Sequence, residues 1–237
     1  MKNKEEILTK AKEWFSESIA KNHRKNTLKL VDPKEFNINP FLTVYLAKYL
    51  TGNATPESIA KTLILPRVLS TSITTSFGTH MQNFISILKE SFGSTTSGID
   101  IEFIDQLDGN KKYCQIKAGP NTINKDDVES IAGHFKGVIN LARTNNLRIP
   151  RDDMIVGVLY GQDSELSGHY KRISEQYDYP VIIGQDFWYR LTGDKNFYNE
   201  LIGAITSIAV ETDFSKELEE VIKELSQTDR IRSLSSD

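Results

Sequence analysis

Two carboxylates, an amide and an ammonium stand at alternate positions of two neighbouring runs. Asp100 and Glu102 lie in SGIDIEFID, residues 97–105, and Gln115 and Lys117 in KKYCQIKAGPNTINKDDV, residues 111–128. Between the runs, Asp108-Gly109 is a local signal for a tight hairpin turn, because both residues tolerate positive φ. Side chains of a strand alternate between its two faces. With Asp108-Gly109 as a two-residue loop, Glu102 falls opposite Gln115 and Asp100 opposite Lys117. Sliding the loop to Gly109-Asn110 changes the partners but keeps all four on one face. Carboxylate and amide oxygens are hard ligands suited to Mg²⁺, and a lysine beside them steadies a charged nucleophile or leaving oxygen. That is the layout of a metal-dependent phosphodiester-cleaving site. The same residues also suit an ordinary solvated hairpin face. Against this, the second run leads straight into the polar turn Ala118–Asn124 and a helix entry, so charged face, turn and helix come as one unit.

The arrangement resembles the PD-(D/E)xK nuclease superfamily, and the segments SGIDIEF and QIKAGPNTIN resemble type II restriction endonucleases that cut short interrupted GC-rich palindromes. The likeness covers the chain from about residue 70 to about residue 192. It implies that Asp100 is the first acid of the motif, Lys117 its lysine, and Gln115 the occupant of a position usually held by Glu or Asp. It further implies Mg²⁺ held by Asp100, Gln115 and Ile116, and contacts to duplex DNA from Asn121, Thr122, Asn124 and Lys125. Gln82, on the helix preceding the hairpin, is the residue expected to support the site. A homodimer matching a palindrome is implied, as is a companion DNA methyltransferase acting on the same sequence. The departures are Ile99 in place of the family's proline and Gln115 in place of a carboxylate. An amide brings no charge, so Asp100 must supply the negative field, with Glu102 on the same face as a compensating acid. Two other readings stay open: a repair or junction nuclease of the same fold, and a DNA-binding protein that has lost cleavage.

The elements around these residues read as an α/β fold, a central mixed β-sheet of roughly four to five strands flanked by helices, with helical additions at both ends. Helical periodicity runs through residues 4–21, 41–49, 70–92, 125–143, 185–191, 197–210 and 215–225, with Asn124 as a cap for the helix that covers the sheet. A further helix opens at Thr55-Pro56 and is expected to end at Pro66. Residues 154–160 and 180–184 are short apolar runs of the kind that form buried strands. Residues 21–29, rich in Lys and Arg, read as a solvated turn in preference to a DNA-backbone contact, and residues 228–237 as a polar tail. Residues 161–179 read equally as a polar connection with a short helix or as a stretch addressing DNA. The expected organisation is a single nuclease domain with a helical part over residues 1–69, a catalytic core over 70–192 and a helical part over 193–237.

Composition narrows the alternatives. The chain has 237 residues with 29 basic and 32 acidic side chains, a net charge of −3, which disfavours indiscriminate nucleic-acid binding but leaves room for a basic cleft. A single cysteine excludes an intrachain disulfide, and the polar N-terminal residues are no membrane anchor, so a reducing cytoplasm is the expected compartment. The four histidines are widely spaced, which argues against structural zinc. Neither a phosphate-binding P-loop nor a nucleophile-elbow serine is present.

Overall fold

The computed structural model describes residues 4–211 and 213–235, without the side chains of Gln82 and Ser91. Five helices come first: α1 (Lys4–Trp14), α2 (Lys21–Leu28), α3 (Pro40–Thr51), α4 (Pro56–Pro66) and α5 (Ile73–Phe92). The hairpin β1 (Ile101–Ile104) and β2 (Lys111–Lys117) follows, then α6 (Lys125–Thr144), β3 (Met154–Val158), α7 (Gly168–Tyr177) and β4 (Val181–Ile183). The chain closes with α8 (Gly184–Thr192), α9 (Phe197–Glu211), α10 (Ser215–Ser226) and the short α11 (Asp229–Arg232). It divides into two compact units, one holding the chain up to Ala11 with Gln82–Ala204, the other Lys12–Met81 with the chain from Ile205 onward. These boundaries differ from divisions at residues 69 and 192.

The first unit contains a four-stranded mixed sheet in the order β1-β2-β3-β4, with β1 antiparallel to β2 and the other neighbours parallel. Parallel neighbours need a crossover, which α6 supplies between β2 and β3 and α7 between β3 and β4. The apolar stripe of α6, including Val128, Ile131, Phe135 and Val138, packs with Met154, Val156 and Val158 of β3. Removing the Phe135 ring from this core costs about 3–5 kcal/mol. Every residue of β3 is buried, which is why its sequence is continuously apolar rather than alternating. On the opposite face, a Cβ at Gly157 would lie 2.3 Å from the Phe187 ring and 2.9 Å from Cys114 Sγ. Glycine there lets α8 lie close to the sheet, where the Trp188 indole donates to the Leu159 carbonyl at 2.8 Å. Burial pushes the Cys114 thiol upward, which makes it a packing residue.

The hairpin register differs from that of a two-residue turn. Ile101 pairs with Cys114 and Glu102 with Tyr113, so Glu102 is not opposite Gln115. Only Gly109 takes positive φ, at 73°, and Asp108 does not, so the doubly left-handed turn that an Asp-Gly loop requires is not formed. Instead Asp105 accepts from the Leu107 N–H and Asp108 from the Asn110 N–H, both at 2.8 Å, building a longer loop from two side-chain-to-backbone turns. The shift preserves parity, so Glu102 still shares a face with Tyr113.

The second unit is helical around Leu30, Ala47, Ile59, Ile64, Val221, Ile222 and Leu225. Three expectations are corrected here. The basic stretch after residue 21 is helix α2, because Lys and Arg are good helix formers and Lys21 pairs with Glu17 one turn back at 2.5 Å. Pro66 does not stop the chain: a π-helical segment, Arg67–Ser72, absorbs the missing backbone donor and continues into α5. Residues 228–235 are not a free tail, since Ile231 is buried, Leu234 packs on the same core, and Ser235 Oγ donates to the Ala54 carbonyl at 3.0 Å, while residues 236–237 lie outside the described residues.

Candidate active site

Asp100 enters the hairpin just before β1. Its N–H donates to the Cys114 carbonyl at 2.9 Å, and its Oδ2 accepts from the Ile116 N–H at 2.8 Å. The carboxylate is thus tied to the backbone of the residue that separates Gln115 from Lys117. The Lys117 carbonyl accepts from Leu159 N on the β3 side. Alternation of the backbone therefore turns the polar groups of Ile116 toward Asp100. The other carboxylate oxygen, Oδ1, meets Lys89 Nζ of α5 at 2.7 Å.

Gln115 is buried, and its Nε2 donates to the Gly98 carbonyl and faces Nδ1 of His134 on α6 at 2.9 Å. Lys117 lies 4.0 Å from Asp127 Oδ1 and is partly exposed. Asp127 is fixed by a reciprocal cap: Asn124 Oδ1 accepts from the Asp126 and Asp127 N–H groups, and Asp127 Oδ2 accepts from the Asn124 N–H. Glu102 is committed elsewhere, accepting from Ser94, from Thr96 at 2.8 Å and pairing with Lys111 at 2.6 Å. Burial works to raise its pKa, but the Lys111, Ser94 and Thr96 bonds outweigh this and hold it below the ordinary glutamate value.

Among the described residues no three His, Cys, Asp or Glu side chains cluster in a way that could hold a metal. A divalent ion here would rely on one carboxylate, Asp100, with the Ile116 carbonyl and the Gln115 amide oxygen, all hard donors fitting Mg²⁺. The Lys89 ammonium on Asp100 Oδ1 shows that the carboxylate already holds a cation at this position.

Of the residues expected to face DNA, Asn124 is occupied as the α6 cap, and Thr122 Oγ1 donates to the Gly119 carbonyl at 2.9 Å and lies 3.2 Å from the Tyr170 hydroxyl. Asn121 and Lys125 are exposed. The Gln82 side chain lies outside the described residues. Lys89, Gly98 and His134 are not singled out for the site by the sequence, because their proximity to it is set by tertiary packing. A cavity of about 1010 Å³, lined by Lys136, Arg143, Arg148 and Arg151 among others, contains none of Asp100, Gln115 or Lys117.

A family model described as type II restriction endonuclease EcoO109I matches residues 7–213. The chain belongs to that family. The match to the EcoO109I family takes in the hairpin, its preceding helices and α6, extending well beyond the stretch on which the sequence resemblance rests. Membership accounts for the mixed sheet flanked by helices and makes the protein a DNA-binding nuclease of a restriction system. No curated protein matches the chain.

Proposed function

We propose that this restriction endonuclease hydrolyses phosphodiester bonds of duplex DNA at a short, GC-rich palindromic or interrupted palindromic site, with Mg²⁺ held by Asp100, the Ile116 carbonyl and Gln115. The observation that carries the reading is the bond from the Ile116 N–H to Asp100, which joins the acid to the strand segment bearing Gln115 and Lys117. A bound Mg²⁺ would supply Lewis acidity toward the scissile phosphate and an activated water. Lys117, with Asp127 only 4.0 Å away as a loose partner, steadies negative charge on the attacking or phosphate oxygen. Lys89 balances the Asp100 carboxylate, which would be one of the ligands to a bound Mg²⁺. Glu102, held by three donors, contributes negative potential rather than a ligand. Asn121 and Lys125 contact the DNA backbone, while Thr122 and Asn124 shape the turn that presents them.

The enzyme acts as a homodimer in the cytoplasm, beside a methyltransferase that protects the same sequence. Supporting dimerisation, α3 exposes an apolar face in which Phe41 and Tyr49 are 88% and 79% exposed, with Leu42, Tyr45, Leu46 and Leu50 beside them. No helix among the described residues is long and apolar enough to cross a membrane.

Digestion of mixed-sequence plasmid DNA tests the reading. Discrete bands with Mg²⁺ and none after chelation are expected; structure-dependent nicks, or no cleavage at all, would replace it with a repair nuclease or a non-cutting binder. Sedimentation at micromolar protein should show a dimer, and a strict monomer on cognate DNA would remove the palindrome argument.

A further inference from the structure

Gln115 stands where the family resemblance expects an acid, yet its surroundings suit an amide. Its nitrogen carries two hydrogens. One is donated to the Gly98 carbonyl and the other faces His134 Nδ1 at 2.9 Å. A carbonyl oxygen only accepts, so the nitrogen end of the amide must face Gly98, which fixes the amide flip. The same nitrogen donates toward His134, so Nδ1 must accept. Gly98 is fitted to this ring: its φ is 79°, and an added Cβ would lie 2.7 Å from the nearest His134 ring carbon. The ring rides on α6, anchored by the fully buried Phe135 beside it, the same helix whose first turn holds Asp127 near Lys117.

We infer that His134 is a positioning residue: together with the Gly98 carbonyl it takes up both N–H groups of Gln115 and so commits the amide oxygen to the cation site. This deepens the proposed nuclease function and rests on it. The acceptor pair also explains why the residue is Gln. A carboxylate at position 115 would set one oxygen against the Gly98 carbonyl oxygen, so this is a site built around a neutral ligand, not a family acid in decay.

Two measurements separate the clamp from the nuclease reading. In metal-free protein, ¹⁵N NMR of His134 should show an unprotonated Nδ1 and a protonated Nε2, and the Gln115 side-chain amide should exchange its hydrogens slowly. His134→Asn, whose side-chain oxygen can accept in place of Nδ1, should keep the slow exchange, and His134→Leu should lose it. In single-turnover cleavage at limiting Mg²⁺, His134→Leu should cut about tenfold more slowly, the size of one lost hydrogen bond, with unchanged DNA affinity. His134→Asn should stay within about threefold of wild type, and Gln115→Glu should fall at least about tenfold. A ring protonated at Nδ1, or a folded His134→Leu with wild-type metal dependence, overturns the inference. If the wild-type protein cuts no DNA, the nuclease reading falls, and the tautomer and exchange rate alone decide whether His134 holds the amide.

Discussion

The two ends of the β1–β2 hairpin use charge in opposite ways. At the loop end Asp105 is fully buried and bonded to Arg190 at 2.7 Å, while the nearly buried Lys112 meets Asp153 at 2.7 Å and Asp108 at 2.8 Å. At the other end Lys117 lies 4.0 Å from Asp127, and Asp100 meets a lysine whose side chain is 44% exposed. Buried pairs with close partners cannot exchange them without a large desolvation penalty. Lys117, loosely partnered, and Asp100, whose close pair with Lys89 is part-exposed, can accept a phosphate oxygen or a metal at a smaller desolvation cost. The hairpin is therefore locked at one end and left chemically available at the other.

The contrast can be broken from either side. The largest effect is expected at the open end, where Lys117→Ala should lower cleavage by orders of magnitude while leaving specific binding in place, because one cation contributes little to an interface with many phosphate contacts. Rapid-quench cleavage and filter binding on the same oligonucleotide measure the two. Next, Arg190→Ala leaves the Asp105 carboxylate buried without its partner and should destabilise the fold by about 3 kcal/mol, read from urea denaturation. The smallest effect belongs to Glu102. Its folded pKa is depressed, so its stabilising contribution is present above the ordinary glutamate value and is lost as pH falls through the lower folded value. Lys111 is half exposed, which screens the pair, so Glu102→Gln should cost no more than about 1 kcal/mol near neutral pH and nothing in acid. Denaturation curves of both proteins across that range should converge at low pH.

The open end was more legible in sequence than the locked one. Asp100, Gln115 and Lys117 are close in sequence, and their shared face follows from strand parity, which survives a change of loop length. The Asn124 cap was readable because capping is a local property. The register was not, since the Asp105–Arg190 pair that stabilises the longer loop links residues 85 positions apart. Lys89 lies 11 positions from Asp100 and His134 19 from Gln115, but both contacts are set by how α5 and α6 pack on the hairpin, which local pattern does not give. The helix runs on through Pro66, because proline is a reliable helix stop only where no π-helical segment takes over.

The two ends of one hairpin divide chemistry from stability. Measuring cleavage rate, DNA affinity and unfolding free energy for Lys117→Ala and Arg190→Ala side by side tests this division most directly. Lys117→Ala should unfold within about 0.5 kcal/mol of wild type, bind DNA and fail to cut it, whereas Arg190→Ala should be unstable yet cut at near wild-type rate at temperatures where it is folded. A Lys117→Ala protein that cleaves at the wild-type rate would contradict the account.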